Sequence, residues 1–327
     1  MKNLSFLVVI GMLFTACEEL DPREPGLLVP RTADQDASVP SIHVNGTVLH
    51  AETFGNPTDP MLVVLHGGPG ADFRYLLNCR AFANEGFFVV FYDQRGSGLS
   101  RREDKSVFST RIMLDDLAGV IAHFRSAADQ KVILLGQSWG AMLATAYINE
   151  NPTAITGAIL GEPGGLVWAD VKAYMKRLHS RSITSEGLND AAYLDQFITG
   201  DPSDHELLDY KFGLSFAAAS TAGNPSGETE APVFWRLGAV VNQALMELGE
   251  SQPLDFTTNL SAYTTKVLFV YSERNQAYGP EYAQHVSSAY PSVQLERIDD
   301  VGHNLMTTAS GWNNFFPIAL TYLNELK

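Results

Sequence analysis

The chain has 327 residues, 45% hydrophobic and 18% charged, the profile of a globular fold with room for one large domain and an insertion. Lys and Arg number 22 against 37 Asp and Glu, a formal charge of −15. A chain this acidic, with no basic cluster, argues against nucleic acid as a partner and against electrostatic docking on an anionic membrane face.

Lys2 precedes an apolar stretch, Leu4 to Phe14, that is too short to span a bilayer comfortably. Leu13-Phe14-Thr15-Ala16-Cys17 follows. This resembles a bacterial lipoprotein signal, in which small residues precede a lipid-modified cysteine. The resemblance implies removal of residues 1–16 and a lipid anchor on Cys17. It also implies a mature protein in the bacterial cell envelope, held to a membrane on its periplasmic or surface side. An ordinary cleaved signal with a fortuitous cysteine is the alternative. Residues 17–40, with Pro22, Pro25, Pro30 and Pro40 among acidic and small residues, read as a flexible tether. The only cysteines are Cys17 and Cys79; with Cys17 acylated, no intramolecular disulfide is expected. Cys79, in an expected helix from Tyr75 to Asn84, reads as a small buried hydrophobe. No Cys/His cluster has metal spacing, so neither metal nor cofactor is expected.

Ile42 to His50 is two alternating runs around Asn45-Gly46, a hairpin signal; His43 and His50 fit surface strand positions. Met61 to Leu65 is an apolar strand ending in His66-Gly67-Gly68-Pro69-Gly70. Phe87 to Tyr92 is the next strand, followed by Asp93-Gln94-Arg95-Gly96-Ser97-Gly98, where Asp93 and Arg95 suggest an internal ion pair. An amphipathic helix is expected from Thr110 to Arg125. Then Val132 to Leu135 runs into Gly136-Gln137-Ser138-Trp139-Gly140 and a helix-forming stretch to Tyr147. Strand, G-x-S-x-G turn and helix are the context of a nucleophile elbow. The serine stands at the strand's C-terminal edge, and the next helix points its N-terminus at developing negative charge. Ile155 to Gly161 is a further strand, ending at Glu162. From Leu166 to Thr264 the alternation of strand and helix stops; helical pieces are expected at Ala169–His179, Ala191–Ile198 and His205–Ala219. Lys266–Tyr271, a helix at Pro280–Ala289, a strand at Val293–Ile298 and a helix at Trp312–Leu326 complete the chain.

HGGPG, DQRGSGLS and GQSWG, in this order and spacing, resemble the proline iminopeptidase group of the α/β-hydrolases. The resemblance covers about Leu62 to Tyr147 and resumes at the last strand and histidine. It implies a mostly parallel, doubly wound α/β-hydrolase core over residues 41–162 and 265–327, with a helical cap inserted at 163–264.

Acyl transfer needs a nucleophile, a base and a group that orients the base. Ser138 is the candidate nucleophile. His303, after a glycine just past the last strand, is the candidate base. His66 sits in the glycine-rich turn and reads as structural; His123, His179 and His285 fall on expected helices. The candidate oxyanion donors are the backbone N–H groups of Trp139 and Gly68. The resemblance implies an aspartate in the turn after the strand that follows the cap, but that turn reads Ser272-Glu273-Arg274-Asn275. Glu162, at the end of the strand before the cap, is the preferred acid, since some α/β-hydrolases place theirs there. Glu273 is the second choice, and orientation by Asn275 alone the third.

The resemblance implies release of an N-terminal residue from a short peptide, with cap carboxylates holding the substrate's amino group. Glu186, Asp190, Asp195, Asp201, Asp204, Glu206, Asp209, Glu228 and Glu230 are available, and none aligns with the family's amine-binding pair. The alternatives are a carboxylesterase acting on a small ester, and a catalytically silent surface binding protein. The intact elbow, glycine turn and histidine argue against the last.

Overall fold

The computed structural model describes residues 27–179, 204–219 and 224–327. The expected signal stretch, Cys17, the start of the expected tether and the expected helix Ala191–Ile198 lie outside the described residues.

The strands with no polar face to spare make the centre. β3 (Met61–Leu65), β4 (Phe88–Tyr92), β5 (Val132–Gln137) and β6 (Gly157–Gly161) are buried at every position, as strands covered by helices on both sides must be. With β1 (Ser41–Val44), β2 (Thr47–Phe54), β7 (Val267–Ser272) and β8 (Val293–Ile298) they form an eight-stranded sheet in the order β1-β2-β4-β3-β5-β6-β7-β8. β1–β2 and β2–β4 are antiparallel; the remaining pairs are parallel. The β1–β2 turn is Asn45-Gly46, both with positive φ (46° and 78°), the backbone a two-residue hairpin of this twist requires.

The α-helices of the described residues are α1 (Thr110–Phe124), α2 (Trp139–Glu150), α3 (Trp168–His179), α4 (His205–Ala219), α5 (Ala239–Ser251), α6 (Gly279–Ser287) and α7 (Ala309–Glu325); α1, α2, α6 and α7 pack on the sheet. Ser109 and Thr308 cap α1 and α7 by accepting the N–H of Ile112 and Gly311. A 3₁₀ helix, Phe73–Glu85, buries Cys79 as expected. Between β6 and β7 the described residues are α3, α4, α5 and a short 3₁₀ turn, with no further strand in the sheet. α5 has no counterpart among the sequence expectations. Gly238 precedes it without a side-chain cap, and the β-branched pair Val240-Val241 blurs the helical signal.

The strand order reverses around β3: β4 lies on one side and β5 on the other. That crevice is where a doubly wound sheet opens to a ligand. The turns after β3, β5, β6 and β8 carry Gly68, Ser138, Glu162 and His303, and these strands run parallel, so all four residues come to the same end of the sheet.

Two expectations are corrected. His50 is buried, with Nδ1 2.7 Å from Asp93 Oδ2 and the ring stacked on Phe73; its position on β2 faces the 3₁₀ helix rather than solvent. Asp93 and Arg95 do not pair with each other. Asp93 accepts the N–H of Phe73 and Leu99 and faces His50, while Arg95 makes a two-pronged bond to Asp116 at 2.7 and 2.8 Å. One-residue separation on a turn sends the two side chains apart.

Candidate active site

Ser138 sits between β5 and α2 with φ 55° and ψ −122°, a strained backbone for a residue with a side chain. Its N–H is held by the carbonyl of Gly161 at 2.7 Å, and its own carbonyl takes the N–H of Ala141 and Met142. The flanking glycines are dictated by contact. A Cβ on Gly140 would strike the carbonyl of Leu65, and one on Gly136 would strike the carbonyl of Gly140. Strand and helix can therefore approach closely enough to thrust Ser138 outward only if both positions are bare.

The turn after β3 passes directly over the serine: a Cβ on Gly67 would lie 3.0 Å from Ser138 Cβ. Gly68 (φ 117°) has a cis bond to Pro69. Gly68, Ser138 and Trp139 line one cavity of about 380 Å³ together with His303. His66 is structural. Its Nε2 accepts the N–H of Gln94 at 2.9 Å, so the proton is on Nδ1, directed at the Gly67 carbonyl; burial lowers its pKa and keeps it neutral.

Glu162 follows β6 with φ 42° and is fully buried. Its carboxylate takes four donors. Oε1 accepts the N–H and the hydroxyl of Ser272 at 2.7 and 2.6 Å, and Oε2 accepts Asn275 Nδ2 and faces His303 Nδ1, both at 2.7 Å. Every lone-pair direction of a carboxylate is occupied, which offsets the cost of burying its charge. The bond fixes the tautomer of His303: Nδ1 carries the proton and Nε2 is left as acceptor. Burial pushes the His303 ring towards neutrality. The Glu162 hydrogen bond and charge, then the charge of Glu228, push back harder, and the net effect raises its pKa.

Glu273, the second candidate acid, is exposed and bonds the N–H of Asp300 at 3.0 Å. Asn275 is buried against Glu162 and also donates to the Tyr174 hydroxyl at 3.1 Å. Tyr174 is 3.3 Å from His303 Nδ1, and burial holds its hydroxyl well above the usual value. No sequence motif pointed to Tyr174.

Two glutamines tie the turns together, and sequence reasoning missed both. Gln137 accepts from the Tyr75 hydroxyl at 2.6 Å and donates to the His303 carbonyl at 2.9 Å; that hydroxyl in turn accepts the N–H of Gly67 at 2.8 Å. Gln94 donates to the His66 carbonyl and accepts the indole N–H of Trp139, each at 2.8 Å. Their positions inside GQSWG and DQRG were the available signal.

Of the nine acidic candidates at 186–230, Glu186, Asp190, Asp195 and Asp201 lie outside the described residues. Asp209 is buried in ion pairs with Arg102 and Arg236 at 2.8 and 2.7 Å. Glu206 bonds the N–H of Leu28, Asp204 caps α4 and Glu230 is exposed. Glu228 alone of the five described lines the cavity. It accepts the N–H of Asn304 at 2.6 Å, and burial raises its pKa. Among the described residues no group of His, Cys, Asp and Glu is arranged to hold a metal ion.

The family model for serine aminopeptidases, S33, matches residues 56–207. The proline iminopeptidase of Heyndrickxia coagulans is 28% identical over 251 residues, 74% of this chain and 83% of that protein. The structure of a proline iminopeptidase-related protein from Thermus thermophilus superposes with a TM-score of 0.62 at 24% identity, over 88% of this chain and 98% of that one. An enol-lactonase from Burkholderia xenovorans superposes with a TM-score of 0.60 at 17% identity, over 87% and 100%. These two structures share the fold.

Proposed function

We propose that this chain, a serine hydrolase of the α/β-hydrolase superfamily that resembles the proline iminopeptidases, works through an acyl-enzyme on Ser138 and releases the N-terminal residue of short peptides. The observation that carries the mechanism is the 2.7 Å contact between His303 Nδ1 and Glu162 Oε2, made behind the cavity that His303 and Ser138 line. With Nδ1–H committed to Glu162, Nε2 takes the proton of the Ser138 hydroxyl as its oxygen attacks the substrate carbonyl. The oxyanion meets the backbone N–H groups of Gly68 and Trp139. His303 returns the proton to the departing amine as the carbonyl–nitrogen bond breaks. A water, deprotonated by the same nitrogen, then cleaves the acyl–Ser138 bond. Glu162 holds the ring in this orientation and stabilises the imidazolium.

The peptidase reading rests on the family match and on the resemblance to proline iminopeptidases. A second reading, hydrolysis of a small ester or lactone, is favoured by the apolar residues that dominate the cavity wall, such as Trp168, Met175 and Leu245; the enol-lactonase neighbour has the same fold. Residues 163–264 act in either case as a cap over the cavity, supported by the lining from α3 and α5. Anchoring by a lipid on Cys17 in the bacterial envelope completes the reading. It is supported by Lys2, the apolar stretch after it and the small residues before Cys17. No helix of the described residues is long and apolar enough to cross a membrane.

The test is hydrolysis of proline-p-nitroanilide beside p-nitrophenyl acetate and butyrate, by the full chain in detergent and by Ser138→Ala. Cleavage of the prolyl amide that vanishes in the variant is expected. Serine-dependent cleavage of the esters alone keeps the mechanism and moves the substrate to the second reading. Turnover unchanged by Ser138→Ala removes the mechanism.

A further inference from the structure

The cavity has two unlike sides, and their placement relative to the reacting atoms assigns them to different parts of a substrate. The polar side is built on the histidine. The carbonyl of Ser226 takes the N–H of His303 at 2.9 Å, and Glu228 takes that of Asn304; all four residues line the cavity. A leaving group must depart next to His303, because it collects its proton there. The polar side is therefore the leaving-group side.

The other side begins at the oxyanion turn. Asn242, on the first turn of α5, donates to the Pro69 carbonyl at 2.7 Å, and the N–H of Gly238 bonds the Gly70 carbonyl at 2.7 Å. The face of α5 that starts at Asn242 continues through Leu245 and Met246 to Gly249, a helical i, i+3, i+4, i+7 stripe. The ring of Trp168 lies flush on Gly249, so close that a Cβ there would strike it. Met142, one turn into α2 from Ser138, faces the same space. At about 1.5 Å of rise per residue, the stripe from Asn242 to Gly249 is about 10 Å long. A wall of that length, apolar after its first residue, leads away from the point where the carbonyl carbon must sit.

We infer that the acyl group transferred to Ser138 carries an extended apolar chain, which lies along Leu245 and Met246 towards Trp168. This rests on the acyl-enzyme reading above and adds the class of acyl group. That chemistry has two sources: the side chain of a large apolar N-terminal residue, or the chain of a medium-length fatty acyl ester or amide. A prolyl group uses the start of the wall and leaves most of it uncovered.

Two matched series separate the sources on the full chain in detergent. One holds p-nitroanilides of Ala, Pro, Leu, Met and Phe. The other holds p-nitrophenyl acetate, butyrate, hexanoate and octanoate. Each methylene laid on the wall raises kcat/KM by up to about fourfold. At least a tenfold rise from acetate to octanoate, or from Ala and Pro to Leu, Met and Phe, is expected; the series that rises names the source. Leu245→Ala and Met246→Trp should flatten the rise, the first by removing wall and the second by filling the groove. The wild-type series stands alone should either variant fail to fold. Ser138-dependent cleavage that is flat or falls with chain length in both series overturns this inference and leaves the acyl-enzyme reading intact. Absence of Ser138-dependent cleavage of every substrate overturns both.

Discussion

The side-chain amide of Asn275 donates to Glu162 Oε2 across 2.7 Å, the same oxygen that faces His303 Nδ1 at 2.7 Å. The two positions follow different strands: Glu162 comes directly after β6 and Asn275 after β7, its neighbour in the sheet. An aspartate at 275 would set two carboxylates in contact inside a dry pocket, and one would be forced to take a proton. Asparagine supplies a donor instead. The residue that looks like a defect in the turn after β7 is the complement of an acid one strand away.

Exchange of the two functions follows. Glu162→Gln removes the charge that stabilises the His303 imidazolium and should lower kcat by about 10³- to 10⁴-fold. Asn275→Asp alone should lower activity through repulsion with Glu162. The double variant Glu162→Gln/Asn275→Asp restores one carboxylate beside His303 and should recover at least tenfold over Glu162→Gln. Steady-state kinetics on the three variants checks this. Full activity in Glu162→Gln would remove the assignment.

The pH dependence has a definite sign. The pKa of His303 is raised: burial opposes its charge, and the Glu162 bond and charge, followed by Glu228, outweigh burial. The base must be neutral, so kcat/KM should fall as pH drops through a value above the ordinary 6.5 of histidine. The stability contributed by the pair runs the other way. It is complete below the unfolded value and fades as pH rises through the folded one. Glu228→Gln keeps an oxygen for the N–H of Asn304 and removes a charge, so the acidic limb should move to lower pH. A limb unmoved by Glu228→Gln would show that its charge does not reach the ring.

How much of this was legible in the sequence depended on range. Elements set by local chemistry were plain: the Asn45-Gly46 hairpin, the buried runs of β3 and β5, and the glycines that bring strand and helix together around Ser138. What the sequence hides is which side chain meets which across the sheet. His50 alternates like a surface residue and is buried on Asp93. Arg95 sits two residues from Asp93 and pairs with Asp116. Asn275 has meaning only beside Glu162, 113 residues away, and the cavity faces of α3 and α5 meet only after the chain has folded.

Tyr75 is the test of the scaffold beneath the oxyanion turn. Its hydroxyl accepts the N–H of Gly67 and donates to Gln137, which holds the His303 carbonyl. Tyr75→Phe leaves a buried donor and a buried acceptor unpaired, at a cost of about 1–3 kcal/mol. The turn and the histidine loop both lose their tie, so kcat should fall more than tenfold with a smaller change in KM. Thermal unfolding and kinetics measured together separate the effects. A lower Tm with unchanged kcat would make Tyr75 a purely structural residue.

Asp72 clamps the segment before α5 to the same turn from the other side. Its Oδ2 accepts the N–H of Trp235 at 2.6 Å and of Arg236 at 3.0 Å, while Oδ1 accepts that of Arg74 at 3.0 Å. Asp72→Ala strands these donors, with a loss on the order of 3 kcal/mol. At about 2.1 cal/mol/K of unfolding entropy per residue, a chain of this size shifts by about 1.5 °C in Tm per kcal/mol, so a drop of about 4 °C is expected. Asp72→Asn retains one acceptor oxygen and should fall between wild type and the alanine variant. The segment fixed by Asp72 leads into Asn242, which holds Pro69 next to Gly68, so the alanine variant should also lose kcat. Unchanged Tm and kcat in Asp72→Ala would mean that Gly238 and Asn242 hold the turn without it.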